Sequence, residues 1–216
     1  MNAGQPQQAI KYFEQWLAIA QEDDRRDEGT ALMNLGVAYL HLHDNFRAIE
    51  YFEQALAIAR ETGNRKRESD IFLNLGVALW SLGNNPRVAL QCFDQAASIA
   101  REIGDCAGEV DILCNVGNVH AALGDYPRAI ETYNQALAAA QECDDRGRTA
   151  VILFHTSLLL DKQGDRAQAI GNAKSALAMM EEIEHPIVAR VRQQLSAWGT
   201  HVRKRGAVPG AEASQI

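Results

Sequence analysis

Little in this 216-residue sequence points to a membrane, a metal or a reaction. No apolar run approaches the roughly 18–20 residues that a membrane-spanning helix requires. The opening Met1-Asn2-Ala3-Gly4-Gln5-Pro6 lacks the basic-then-apolar order of a secretory signal. Aromatic residues make up only 6% and there are just 5 prolines. The four cysteines (Cys92, Cys106, Cys114 and Cys143) form neither a Cys-x-x-Cys pair nor a dense framework, a usage that fits a reduced, cytoplasmic setting. Positive charge is in deficit. The formal net charge is -7, whereas a binder of phosphate backbones is more often basic. A phosphate loop is missing, because Gly63, Gly83, Gly104 and Gly124 stand alone rather than clustered before a helix. Neither a Gly-x-Ser-x-Gly elbow nor a His-Glu-x-x-His pair occurs. What the chain does have is enough apolar content, 47%, to bury a core.

It also has an internal repeat. Asn34-Leu35-Gly36-Val37-Ala38 returns as Asn74-Leu75-Gly76-Val77-Ala78, degenerates to Asn115-Val116-Gly117-Asn118-Val119, and erodes to His155-Thr156-Ser157, in steps of 40, 41 and 40 residues. A second block keeps the same phase: Ala48 to Phe52 and Ala55, Ala89 to Phe93 and Ala96, Ala129 to Tyr133 and Ala136, and more weakly Ala169 to Ala176. The extra residue of the middle step falls in the turn Asn84-Asn85-Pro86. Within each block the large and small apolar residues follow i, i+3, i+4, i+7 spacing, which is one face of a helix. Glycine with Asp or Asn beside it punctuates the blocks, as in Gly104-Asp105, Gly124-Asp125 and Gly164-Asp165. Strand-type alternation is absent. These observations predict an all-α chain of helix hairpins that stack side by side, because one hairpin cannot bury both of its faces.

The residues Leu32, Leu35-Gly36, Tyr39, Ala48 and Phe52 resemble the tetratricopeptide repeat. The pattern recurs as Phe72, Leu75-Gly76, Leu79, Ala89 and Phe93, and as Leu113, Val116-Gly117, His120, Ala129 and Tyr133. The fourth copy has Ser157 for the glycine and Ala173 for the aromatic. The period is longer than the standard one and the closing proline is missing, so the chain is similar to the long-helix arrays of kinesin light chains, spindle-orientation adaptors and bacterial signalling proteins. The resemblance implies a right-handed superhelical solenoid. Its expected division is a half repeat over 5–25, repeats over 26–64, 65–105, 106–145 and 146–185, a capping helix over 187–203 and a disordered tail over 204–216.

The ends and the inner face carry the functional expectations. Trp16 occupies the site held by alanine in the later repeats. The chain is therefore either a segment of a longer protein or an array with a tryptophan lid. In either case Tyr12, Phe13, Trp16 and Leu17 predict an apolar patch able to drive self-association. Residues at i, i+4, i+7 and i+11 of each first helix define a stripe facing away from the core: Thr30, Asn34, Val37 and His41; Asp70, Asn74, Val77 and Ser81; Asp111, Asn115, Asn118 and Ala122; Val151, His155, Leu158 and Lys162. In relatives of this kind such stripes line a concave groove. A row of amides could meet the N–H and C=O of an extended peptide, with Val37, Leu40, Val77, Trp80, Phe154 and Leu158 as apolar pockets and Cys114 beside them. Asp70 and Asp111 predict an acidic groove suited to a ligand with Lys or Arg. The alternative is that the asparagines serve hydrogen bonds internal to the scaffold. A structural or oligomerisation role in a larger regulator is the rival to peptide binding. No cofactor, metal or nucleic acid is expected. His41 and His43 read as residues ending a helix, Arg203-Lys204-Arg205 as a solvated helix end, and Cys114 with His155 lacks the orienting acid that nucleophilic catalysis requires.

Overall fold

The computed structural model describes residues 4–83 and 85–199. The tail over 204–216, the end of the expected capping helix beyond 199, and Asn84 of the inserted turn lie outside the described residues. Within them the chain forms ten helices. They are α1 (Gly4–Asp23), α2 (Arg25–His41), α3 (Asn45–Glu61), α4 (Arg65–Ser81), α5 (Pro86–Glu102), α6 (Cys106–Ala122), α7 (Tyr126–Glu142), α8 (Arg146–Lys162), α9 (Arg166–Glu182) and α10 (Val188–Ala197).

Between α2 and α9 the helix ends follow one recipe. A residue in the left-handed conformation closes a helix, and an Asp or Asn beside it caps the next. Backbone N–H groups donate to Asp24, Asp44, Asn64, Asn85, Asp105, Asp125, Asp145 and Asp165. Glycine supplies the left-handed residue at Gly63, Gly83, Gly104, Gly124 and Gly164, but His43, Asp144 and Glu184 adopt it with φ of 60, 54 and 52°.

Three of the hairpins close on a steric fit between a glycine and a ring. A Cβ placed on Gly36, Gly76 or Gly117 would stand under 3.0 Å from the ring of Phe52, Phe93 or Tyr133 respectively. The glycine thus lets the second helix bring a fully buried aromatic against the first helix's backbone. The fourth hairpin solves the same problem differently. Ser157 and Ala173 are both fully buried, and Phe154, expected as an apolar pocket of the inner face, is instead a core residue that joins Ala150, Ala169, Ala173 and Ala176 in one cluster. The Ser157 hydroxyl donates to the Phe154 carbonyl at 2.6 Å, so the added hydroxyl is satisfied within its own helix.

The first helices of successive hairpins, α2 with α4, α4 with α6 and α6 with α8, touch directly, whereas the second helices do not approach one another comparably. The first helices therefore lie on the shorter, inner side of the curve. At the N-terminal end α1 packs on α2, with Phe13 and Leu17 turned into the core. Of the expected patch, Tyr12 is exposed and Phe13, Trp16 and Leu17 are half-buried, while Ile19 is 63% exposed where its counterparts Ile58 and Ile99 are 3% and 4%.

The cysteines also depart from expectation. Cys106 and Cys143 are joined as a disulfide with Cα atoms 6.3 Å apart, while Cys92 and Cys114 are free. Sequence spacing conceals this pair, because 37 residues separate its members and only the hairpin brings them together.

Candidate functional site: the inner helix face

The expected site residues occupy the inner helices. Asn34, Val37, Asp70, Asn74, Val77, Trp80, Asp111, Cys114, Asn115, His155 and Leu158 are all half-buried, and His41 and Asn118 are exposed. Asn34, Asn74, Asn115 and His155 stand at equivalent positions on α2, α4, α6 and α8.

Their hydrogen bonds divide the amides into halves. The Asn74 Nδ2 donates to the Asp70 carbonyl and the Asn115 Nδ2 to the Asp111 carbonyl, each at 2.8 Å and one helical turn back. One N–H of each amide is thus committed within the scaffold, while the second N–H and the Oδ1 acceptor make no hydrogen bond among the described residues. Asn34 makes no side-chain hydrogen bond among the described residues. Asn118 is engaged through its oxygen, which accepts from the Tyr133 hydroxyl at 2.6 Å.

The acidity expected of this face is offset only in part from within. Lys66 reaches Asp70 at 2.7 Å and Asp105 at 2.6 Å. Arg148 of α8 grips Asp111 of α6 in a bidentate pair, 2.7 and 2.8 Å, and also holds its own cap Asp145. Asp111 and then Asp145 hold the Arg148 guanidinium firmly in its charged form. Both carboxylates named from the sequence thus meet a cation, but Lys66 is shared with Asp105 and Arg148 with Asp145, so one positive charge serves two negative ones at each point and the face stays acidic.

The inner face deepens into a hollow of about 410 Å³ at its C-terminal end. Asn118 of α6, Tyr133 of α7, His155, Leu158 and Lys162 of α8 and Gln194 of α10 line it. The Tyr133 ring meets the edge of His155 with centroids 6.0 Å apart. Burial, and then the charge of Arg190, lower the His155 pKa, so the imidazole is neutral near pH 7 and offers one donor and one acceptor. Four of these residues, Asn118, His155, Leu158 and Lys162, belong to the inner stripe expected from the sequence. Tyr133 was read only as a core ring. Gln194 was missed because α10 continues the row of inner helices with no trace of the repeat motif to mark it.

Nucleophilic chemistry finds no support here. Burial pushes the Cys114 thiol up to about 12, the opposite of the shift that creates a reactive thiolate. His41 and His43 are exposed at the end of α2 and in the following turn, where they stand as expected for residues ending a helix. Among the described residues no three His, Cys, Asp or Glu side chains gather as a metal site, and no helix is long and apolar enough to cross a membrane.

The class of protein follows from this architecture and from its sequence signature together. The family model for the tetratricopeptide repeat matches residues 1–61, 27–102 and 108–182, and the chain belongs to that family. No curated protein matches it significantly. Among solved structures it is similar to aspartyl phosphate phosphatase F from Bacillus subtilis, at 18% identity and a TM-score of 0.81 over 87% of this chain and 49% of that one. It is similar to BtubC (BKLC) from P. vanneervenii, at 17% identity and a TM-score of 0.73 over 98% and 99% of the two chains. A third similar structure is the Rap conjugation gene regulator of plasmid pLS20 in complex with the Phr* peptide, at 17% identity and a TM-score of 0.69 over 86% and 53%. The chain thus spans about half the length of the phosphatase and of the plasmid regulator. These likenesses establish a shared helical-repeat fold.

Proposed function

We propose that the protein is a non-catalytic interaction scaffold that holds an extended peptide segment along its inner helix face. The observation that carries this reading is the half-buried row Asn34, Asn74, Asn115 and His155 on four successive inner helices, ending in the hollow around Asn118 and Leu158. Each amide keeps an acceptor for a peptide N–H. Asn74 and Asn115 each commit one N–H to a carbonyl of their own helix, a bond that a ligand carbonyl replaces at little net cost, and Asn34 commits none. Val37, Val77, Trp80 and Leu158 offer apolar contacts between the polar points. The plasmid regulator of similar fold, whose structure contains a peptide, is in keeping with this use. Lys66 and Arg148 are each shared between two carboxylates, so the face around Asp70 and Asp111 keeps an acidic excess that suits a ligand with Lys or Arg beside the contacts to its backbone and apolar side chains.

The test uses a peptide selected from a random displayed library on the wild-type protein. Replacing Asn34, Asn74 and Asn115 together by Ala removes about 1 kcal/mol per lost interaction, so affinity falls about 100-fold. Circular dichroism and melting stay close to wild type. Undiminished binding overturns the groove reading, and a large loss of stability assigns the amides to the scaffold instead.

A second reading draws on α1. Tyr12 and Ile19, 70% and 63% exposed, present an apolar face where later second helices are covered by a first helix. In this reading the surface mediates assembly. Sedimentation velocity of the wild type and of Tyr12→Ser/Ile19→Ser decides it: a monomer at all concentrations in both proteins rejects the idea.

A further inference from the structure

The base of each hairpin carries a repeated clasp, and one repeat makes it with sulfur. In the first repeat Arg25, at the start of α2, pairs with Glu61 at the end of α3 at 2.9 Å. Arg65 at the start of α4 pairs in the same way with Glu102 of α5, and Arg146 at the start of α8 with Glu182 of α9. The partners are separated by 36, 37 and 36 residues in the chain. In the third repeat the position of these arginines is Cys106, at the start of α6, and it meets Cys143, the C-cap of α7, across 37 residues. Glu142, the counterpart of Glu61, Glu102 and Glu182, is still present one residue before Cys143. A covalent pair therefore stands at the one repeat where the arginine of the ion-pair ladder is absent.

We propose that Cys106 and Cys143 are a reversible redox clasp, closed and opened by exchange with a low-molecular-weight disulfide such as oxidised glutathione. This does not depend on the peptide groove. The Cα separation of 6.3 Å lies in the range that a disulfide bridges without backbone movement. Both cysteines are half-buried rather than sealed in the core. Cys106 sits at the N-terminus of a 17-residue helix, where the helix field favours the thiolate. The open state is provided for as well: the Ala139 carbonyl lies 2.9 Å from the Cys143 sulfur and 3.4 Å from that of Cys106, so it accepts a hydrogen bond from either thiol. The other two cysteines are poor competitors, since burial raises the pKa of both Cys92 and Cys114.

The exchange balances. The Cys106 thiolate attacks one sulfur of oxidised glutathione, forming a mixed disulfide and releasing one glutathione thiolate. Cys143 then attacks the Cys106 sulfur and releases the second. One external disulfide is reduced to two thiols, the two protein thiols are oxidised to one disulfide, and their two protons pass to the released glutathione. Closing a loop of this length restricts the unfolded chain, so the clasp raises the melting temperature of the array.

The experiment equilibrates the purified full chain in glutathione buffers from fully reduced to fully oxidised and then alkylates it under denaturing conditions. Mass spectrometry should count four alkylated thiols in the reduced protein and two in the oxidised one, with peptide mapping placing the link between Cys106 and Cys143. Oxidation should raise the melting temperature by about 5–10 °C in the wild type and not at all in Cys106→Ser. Cys106→Arg puts an arginine across from Glu142 as in the other repeats. It should melt above Cys106→Ser and be indifferent to glutathione. Four alkylated thiols in the most oxidising buffer, a link through Cys92 or Cys114, or a melting temperature unmoved by oxidation would each overturn the proposal. A Cys106→Arg protein no more stable than Cys106→Ser would remove the equivalence with the ion-pair ladder on which it stands.

Discussion

Gly76 and Asp144 mark two opposite uses of the backbone. Gly76 is small because Phe93 leaves it no room for a Cβ. Gly76→Ala therefore forces either the ring or the helix to move, and overpacking of this kind costs about 2 kcal/mol. Denaturant unfolding should show that loss, and adding Phe93→Leu, which shortens the opposing side chain, should recover part of it. Asp144 is in the reverse situation. It adopts a left-handed φ of 54° at a turn where Gly63, Gly104 and Gly124 do the same without strain. Asp144→Gly relieves the crowding of Cβ against the backbone and should stabilise the protein by about 1 kcal/mol in the same assay. An unchanged or lowered midpoint would mean that the aspartate side chain does something for the turn that the geometry does not reveal.

The helix caps give the elements their pH dependence. Asp44 and Asp145 each accept a hydrogen bond from a backbone N–H at the start of a helix and pair with the arginine three residues on. These interactions, the backbone bond first, hold both carboxyls below their ordinary value of 3.8. A depressed carboxylate contributes stability that is fully present above its unfolded value and is lost as the pH falls through the lower folded one. Asp145→Asn keeps a competent cap but no charge. It should lower stability at pH 7, and its stability should fall less steeply than wild type when the pH drops below about 4; parallel curves would exclude Asp145 as a contributor. Elements of this sort were legible in the sequence because capping and the glycine–ring fit depend on residues close in the chain or fixed by the repeat phase. The side chains that modify the inner face were not. Arg148 reaches Asp111 across 37 residues and Arg67 reaches the Arg26 carbonyl across 41. Such contacts depend on how far neighbouring hairpins rotate against each other, which a motif does not encode. The Nδ2 direction of Asn74 and Asn115 was hidden for a different reason: a bond to the carbonyl four residues back is open to any helical asparagine, and the sequence does not say whether the rotamer takes it.

At the scale of the molecule the core is divided. One cluster runs from α1 to α6 and includes Leu35, Phe52, Ile71 and Phe93. A second lies within α6, α7 and α8 around Tyr133 and Ile152, and a third ties α8 and α9 to α10 through Phe154, Met180, Leu195 and Trp198. In such a linear array a hairpin is supported only by its neighbours, so its stability is the sum of its own contacts and two interfaces. Damage should consequently remain local in a way that a single shared core would not permit. Gly117→Ala crowds Tyr133, within the cluster of α6 to α8. Native-state hydrogen exchange should then quicken in α6 and α7, and less in α5 and α8, while amides of α2 and α3 keep their wild-type rates. The reciprocal change, Gly36→Ala against Phe52, should accelerate exchange in α2 and α3 and leave α8 to α10 unaffected. Uniform acceleration from either substitution would mean that the array opens only as a whole. The inner face would then behave as one rigid surface, and a ligand held at Asn34 would feel a change made at Tyr133.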